Sequence, residues 1–151
     1  MIEPLYMFRK PKAEEEKRRT IPEHYKSWDK MLQWVNDNVR EMVALLTDRI
    51  TQLGDVNHVA HGKYYCFYRG KPSTRSIFAA FILTKKALHV RIRVNPSTFK
   101  DPQNWTGNRV YKGWFFKRYG QERGFKITSK EQIDYAIELI KQSYDLAKGL
   151  S

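Results

Sequence analysis

The 151-residue chain contains one cysteine, Cys66. A lone cysteine excludes an internal disulfide framework and a Cys-rich zinc site, and it fits a reducing compartment. No stretch approaches the ~18 consecutive apolar residues of a membrane span. The first residues, MIEPLYMFRKPKAEEEKRR, are too polar for a secretory signal. A soluble, cytoplasmic protein with no membrane partner is the expectation. No phosphate-cradling glycine loop is present, since Gly107, Gly113, Gly120 and Gly124 follow no such pattern. Carboxylates are missing from Val56 to Lys100. That gap argues against a metal nuclease, which needs clustered acids to hold its cations.

The net charge of +12 is therefore unevenly placed. Residues 1–59 hold ten acids and ten bases, and residues 127–151 hold four acids and three bases. Residues 60–126 hold fifteen bases against Asp101 and Glu122 alone. A surface that is merely solvated mixes its signs, as the two flanks do. A one-signed central stretch points to a polyanionic partner.

Periodicity divides the chain into a charged arm, residues 1–26, and one domain, residues 27–151. Pro4, Pro11 and Pro22 interrupt the arm, and Thr20 and Glu23 have the spacing of a helix cap. Trp28, Met31, Leu32, Val35, Val39, Met42, Val43, Leu46, Ile50 and Leu53 recur at three- and four-residue steps. They predict one long helix over 27–53, ended by Gly54. KYYCFYR (63–69) lies between Gly62 and Gly70 and reads as a strand. SIFAAFIL (76–83) reads as a central strand, because it is apolar throughout. Lys85-Lys86 marks a hairpin, after which residues 87–95 alternate strictly. Leu88, Val90, Ile92 and Val94 point one way; His89, Arg91, Arg93 and Asn95 point the other. Residues 96–108 read as a loop, and 111–119 and 125–128 as further strands. Ser129 and Gln132 form a capping box for a last helix. Its buried stripe is Ile133, Ala136, Ile137, Ile140 and Tyr144, and Gly149 stops it. The expected fold is α+β: a two-layer sandwich with an antiparallel sheet of four or five strands. A long N-terminal and a C-terminal helix lie on one face. The other face is then open to water and carries Arg91 and Arg93.

The stretch FKDPQNW (99–105), the aromatic segment after it and FKITSKEQIDYAIELIKQSYDLA (125–147) resemble a small domain of unknown function. That domain is the C-terminal part of so-called predicted transport proteins. The resemblance rests on Asp101-Pro102 after an alternating strand, and on a closing helix with Asp134-Tyr135-Ala136 and Leu139 through Tyr144. It covers residues ~40–147 and implies an α+β fold. A transport role does not follow, since no membrane segment is present. Such domains often follow nuclease-like domains, which associates the family with nucleic acid. The segment VYKGWFFKRYGQERGF (110–125) is longer and more basic than the family's.

Bases interleaved with aromatics suit phosphate contact combined with base stacking. The candidate nucleic-acid-binding residues are Lys63, Arg69, Lys71, Arg75, Arg91, Arg93, Trp105, Arg109, Lys112, Lys117, Arg118, Tyr119 and Arg123. Alternation also sends about half of the aromatics of 105–125 into the core. Asp55, His58, His61 and Cys66 lack a strong ligand spacing, and Cys66 lies mid-strand, where packing is its ordinary role. No catalytic residue, metal or cofactor is therefore assigned. The expected function is a non-catalytic module that binds RNA or DNA, as a subunit of a larger nucleoprotein or defence complex. The alternative is a domain that docks an acidic protein.

Overall fold

The computed structural model describes residues 27–107 and 121–147. The arm, the expected strand over 111–119 and the stop at Gly149 lie outside them. Helix α1 spans Trp28–Trp34 and α2 spans Asp37–Thr51. A meander of five antiparallel strands follows, in the order β1-β2-β3-β4-β5. The strands are β1 Val56–His61, β2 Tyr64–Arg69, β3 Ile77–Thr84, β4 Ala87–Val94 and β5 Gln121–Ile127. A single 3-10 turn, Lys130–Gln132, leads into α3, Ile133–Leu146. The fold is α+β, with the helices on one face of the sheet.

The expected long helix is two helices, and the first is short. Asn36 breaks it. Its side chain accepts the Val39 N–H at 2.9 Å and caps α2, while its own N–H donates to the Lys85 carbonyl at 3.0 Å. The stranded carbonyls at the end of α1 are taken up by Arg40, which donates to Leu32 and Val35 at 2.8 and 2.7 Å. Because the apolar stripe continues across the break, periodicity alone reads straight through it.

The main core lies between the helices and one sheet face. Met42, Leu46 and Ile50 of α2 and Ala136, Leu139 and Ile140 of α3 meet Phe67, Phe81, Leu88, Val90, Ile92 and Ile127. Within α3, Leu139 is buried where Ile137 was expected, and Ile137 is half-buried. Strand β1 was not expected at all, because VNHVAH shows neither an apolar run nor a buried face.

Polar side chains of α3 fasten the fold. Strand β3 bulges opposite Phe67 and Tyr68, so Phe78 loses its place in the ladder. The Ser143 hydroxyl fills the gap, accepting the Arg93 N–H at 2.8 Å and donating to the Phe78 carbonyl at 2.5 Å. The Tyr144 hydroxyl accepts the Asp55 N–H at 3.1 Å. It also occupies the space above Gly54, where a Cβ would meet it at 2.3 Å. Tyr135 and Gln142 hold the 95–107 loop. Gln142 exchanges two 2.8 Å bonds with the Lys100 backbone, and the Tyr135 hydroxyl accepts the Gln103 N–H at 2.9 Å.

The far face departs from expectation in its middle. Cys66, Tyr68, Ile77 and Ala80 form a second buried cluster there, so the middle of that face is not open to water. The continuous apolar run of β3 carried this signal, because a strand apolar on both faces is buried on both.

Candidate polyanion-binding site

The far face is hollow where β4 meets β5. Ala80, Arg91 and Gly124 lie in one cross-strand row, and Ile82, His89 and Lys126 in the next. Two members of the first row have almost no side chain, so Arg91, His89 and Lys126 stand around a depression. Trp105, from the loop after β4, forms its outer wall. Its ring stacks on Phe125 at 4.9 Å and tilts against Tyr135 at 5.5 Å. The hollow has a volume of about 480 Å³, and among the described residues no carboxylate lines it.

Each wall has an identifiable support. The Arg91 guanidinium donates to the Glu122 carboxylate at 2.8 Å, and the Glu122 side chain is fully buried. His89 lies 3.1 Å from the Thr84 hydroxyl. Burial, then the charges of Lys126 and Arg91, hold the imidazole below its usual range, so it is neutral at pH 7. Trp105 is positioned through Asp101, whose carboxylate accepts the Thr106 N–H and hydroxyl at 2.8 Å each, and also the Tyr135 hydroxyl. Burial pushes the Asp101 carboxyl up, but the bonds from Tyr135, Thr106 and Trp105 outweigh it and hold the group below the carboxylate range. The Asp-Pro loop therefore works as a clamp that sets the tryptophan.

Of the residues expected to bind nucleic acid, the structure brings Arg91 and Trp105 together here. Lys71 and Arg75 are exposed, on the β2–β3 loop at the other end of the sheet. Lys63 is half-buried over the Tyr64 ring. Arg93 was expected in solvent and is buried at 1% exposure. Its guanidinium donates to the Thr74 and Arg75 carbonyls at 2.8 and 2.9 Å, which have no strand to pair with. Arg69 is half-buried and caps α3, donating to the Tyr144 carbonyl at 3.1 Å and lying over the Tyr144 ring. Arg123 is half-buried and holds the loop end through the Gly107 carbonyl at 2.9 Å. Arg91 itself is only partly exposed, at 24% of its side chain. Arg109, Lys112, Lys117, Arg118 and Tyr119 lie outside the described residues.

Sequence reasoning missed His89, Lys126 and the exposed hairpin lysines Lys85 and Lys86 beside Thr84. The alternation already put His89 beside Arg91. What sequence could not show was the pairing that brings Lys126 opposite it.

The weighed metal and nucleophile sets do not assemble. His58 points to the helix face and contacts the Tyr65 hydroxyl at 2.5 Å, while His61 points to the far face and contacts Tyr68 at 3.0 Å. Among the described residues no three His, Cys, Asp or Glu side chains converge. Burial pushes the Cys66 thiol up to about 11, against a lowering bond from Tyr68, so it is not a thiolate at neutral pH. Among the described residues no helix is long and apolar enough to cross a membrane. Comparison of the chain with known protein families, curated proteins and solved structures finds no match.

Proposed function

We propose that the chain is a non-catalytic module that binds nucleic acid, with the β4–β5 hollow as its contact point. The observation that carries this reading is the lining of the hollow. It combines Lys126, the Glu122-paired Arg91 and the neutral His89 with an aromatic wall, and among the described residues no carboxylate lines it. Cations suit phosphate oxygens, and Trp105 offers a ring beside them for a base. Lys86 is exposed on the adjoining hairpin, while the Lys85 ammonium lies toward α1, 5.8 Å from the Trp34 ring centroid. Phosphate contacts position a protein without reading sequence, so little base preference is expected.

Salt titration of binding to a generic single strand and a generic duplex tests the reading. With ~4–6 bases on phosphates, log affinity against log salt should fall with a slope of about −3 to −5. Lys126→Glu combined with Lys85→Glu and Lys86→Glu should abolish binding without unfolding, because all three side chains are exposed. If neither nucleic acid shifts in low salt at tens of micromolar protein, the reading fails, and an acidic protein partner accounts for the same charge.

A further inference from the structure

The two edges of the sheet are treated differently. Against β5 lies the 95–107 loop, through Trp105 on Phe125 and Gly107 on Arg123. Along β1, among the described residues, no chain pairs with the outer edge. Five of its six residues are exposed, and it carries no Lys, Arg, Asp, Glu or Pro. Proteins ordinarily blunt an edge with those residues, with a bulge or with a cover. The β1–β2 register runs without a shift from Val56 to His61, so no bulge blunts this one.

The orientation of the edge groups follows from the ladder. The Gly70 N–H donates to the Asp55 carbonyl at 2.9 Å, which makes Asp55 and Gly70 a hydrogen-bonded pair. Bonded and non-bonded pairs alternate along an antiparallel ladder. Asn57, Val59 and His61 therefore bond inward to β2, and Val56, His58 and Ala60 present their N–H and carbonyl groups outward.

A cleft of about 520 Å³ lies on the helix side of this edge, between α1, α2 and the β1–β2 hairpin. Trp28, Asp29, Thr47, Asp48, His58 and Tyr65 line it, and among the described residues no lysine or arginine does. Its character is the reverse of the β4–β5 hollow. The Trp28 and Tyr65 rings, 5.0 Å apart, form an apolar wall. Asp29 and Asp48 are exposed carboxylates on a chain of net charge +12.

We propose that β1 is a strand-addition site for an extended peptide bearing a lysine or arginine. Main-chain bonds form to Val56, His58 and Ala60, and the basic side chain enters the cleft. This is β-augmentation, in which the ladder supplies affinity and a side-chain pocket supplies specificity. The stem of a lysine or arginine lies well along aromatic walls while its head reaches a carboxylate. The basic partner is argued from this charge complementarity. The site is at the opposite edge from the hollow, and so stands independently of nucleic-acid binding.

The probe is a fluorescein-labelled heptapeptide of threonine and valine alternating about a central lysine, with a glutamate-centred control, read by anisotropy on the full chain. The lysine peptide should bind, and the glutamate peptide should bind at least about tenfold more weakly. Ala60→Pro should abolish binding of the lysine peptide. It removes an outward N–H and leaves the β1–β2 ladder its bonds, a position an edge strand tolerates. Because that variant can also fail to fold, Asp29→Lys with Asp48→Lys provides a second test, with the same loss expected from exposed sites. Lys126→Glu and added single-stranded DNA should change nothing. Equal binding of the two peptides, or none from either, overturns the proposal. So does sedimentation showing a dimer that Ala60→Pro dissolves, since the edge would then belong to a second copy.

Discussion

Replacing Arg91 by alanine should destabilise the fold before it says anything about binding. The Glu122 carboxylate is fully buried, and Arg91 is its ion-pair partner at 2.8 Å. Across the ladder Glu122 also faces Arg93, whose guanidinium donates to the Thr74 and Arg75 carbonyls and whose charge still acts on the carboxylate. Removing one partner of a buried pair typically costs ~3–5 kcal/mol, because the remaining charge is left uncompensated. Arg91 keeps 24% of its side chain in solvent, which screens the pair. The lower end, ~3 kcal/mol, is therefore expected for Arg91→Ala. For a chain of this size that is a fall in Tm of roughly 6–12 °C. Glu122→Gln should cost less, about 1 kcal/mol, because Arg91 can turn its charge to water. The double variant should be more stable than Arg91→Ala alone, since it no longer buries a carboxylate charge deprived of the Arg91 guanidinium. Urea and thermal unfolding followed by circular dichroism measure all four corners of this cycle. An Arg91→Ala protein within ~0.5 kcal/mol of the parent, the ordinary range of a surface change, would refute the reasoning. A double variant no more stable than Arg91→Ala would refute it equally.

Three other substitutions probe the packing. Gly54→Ala sets a Cβ 2.3 Å from the Tyr144 hydroxyl, and should cost ~1–3 kcal/mol; adding Tyr144→Phe should recover part of it, and failure to do so would place the strain elsewhere. Ile140→Ala should cost ~2–4 kcal/mol from a fully buried site, and the half-buried Ile137→Ala clearly less, as measured by urea unfolding. Cys66 should react with iodoacetamide at pH 7.5 only as fast as the protein unfolds. Burial raises its folded pKa to about 11, above the unfolded value, so its contribution to stability is intact below about pH 8.5 and is lost as pH rises toward 11. Rapid alkylation of the folded protein at pH 7.5 would contradict this.

Local rules made much of the architecture legible. The strict alternation of residues 88–94 put Leu88, Val90 and Ile92 under the helices, where they are fully buried. Ser129 and Gln132 fixed the start of the last helix, with the Gln132 side chain accepting the Ser129 N–H at 3.2 Å. What failed depended on neighbours. Nothing local distinguishes Arg93, which turns to a pair of loop carbonyls, from Arg91, which turns to Glu122. The break at Asn36 needed the hairpin carbonyl of Lys85, forty-nine residues away. The hollow needed Ala80 and Gly124 to flank Arg91, and that pairing is a property of the sheet.

Among the described residues, the central charge excess therefore has two physical parts that composition counts as one. Arg69, Arg93 and Arg123 hold loops and a helix end through backbone carbonyls, as Arg40 does outside that stretch. A planar guanidinium fork suits this task, because it can donate to adjacent acceptors at once, which an ammonium does less well. Lys71, Lys85, Lys86, Lys100 and Lys126 are exposed instead. Both sets contribute to the long-range positive field, so both favour encounter with a polyanion. Only groups that reach phosphate release counterions on contact. Salt dependence of binding should accordingly follow the lysines. Neutralising Lys85, Lys86 and Lys126 should make the slope shallower by about one for each lysine that touches phosphate. Exchanging Arg69 or Arg123 for methionine should move stability first and leave the slope nearly unchanged.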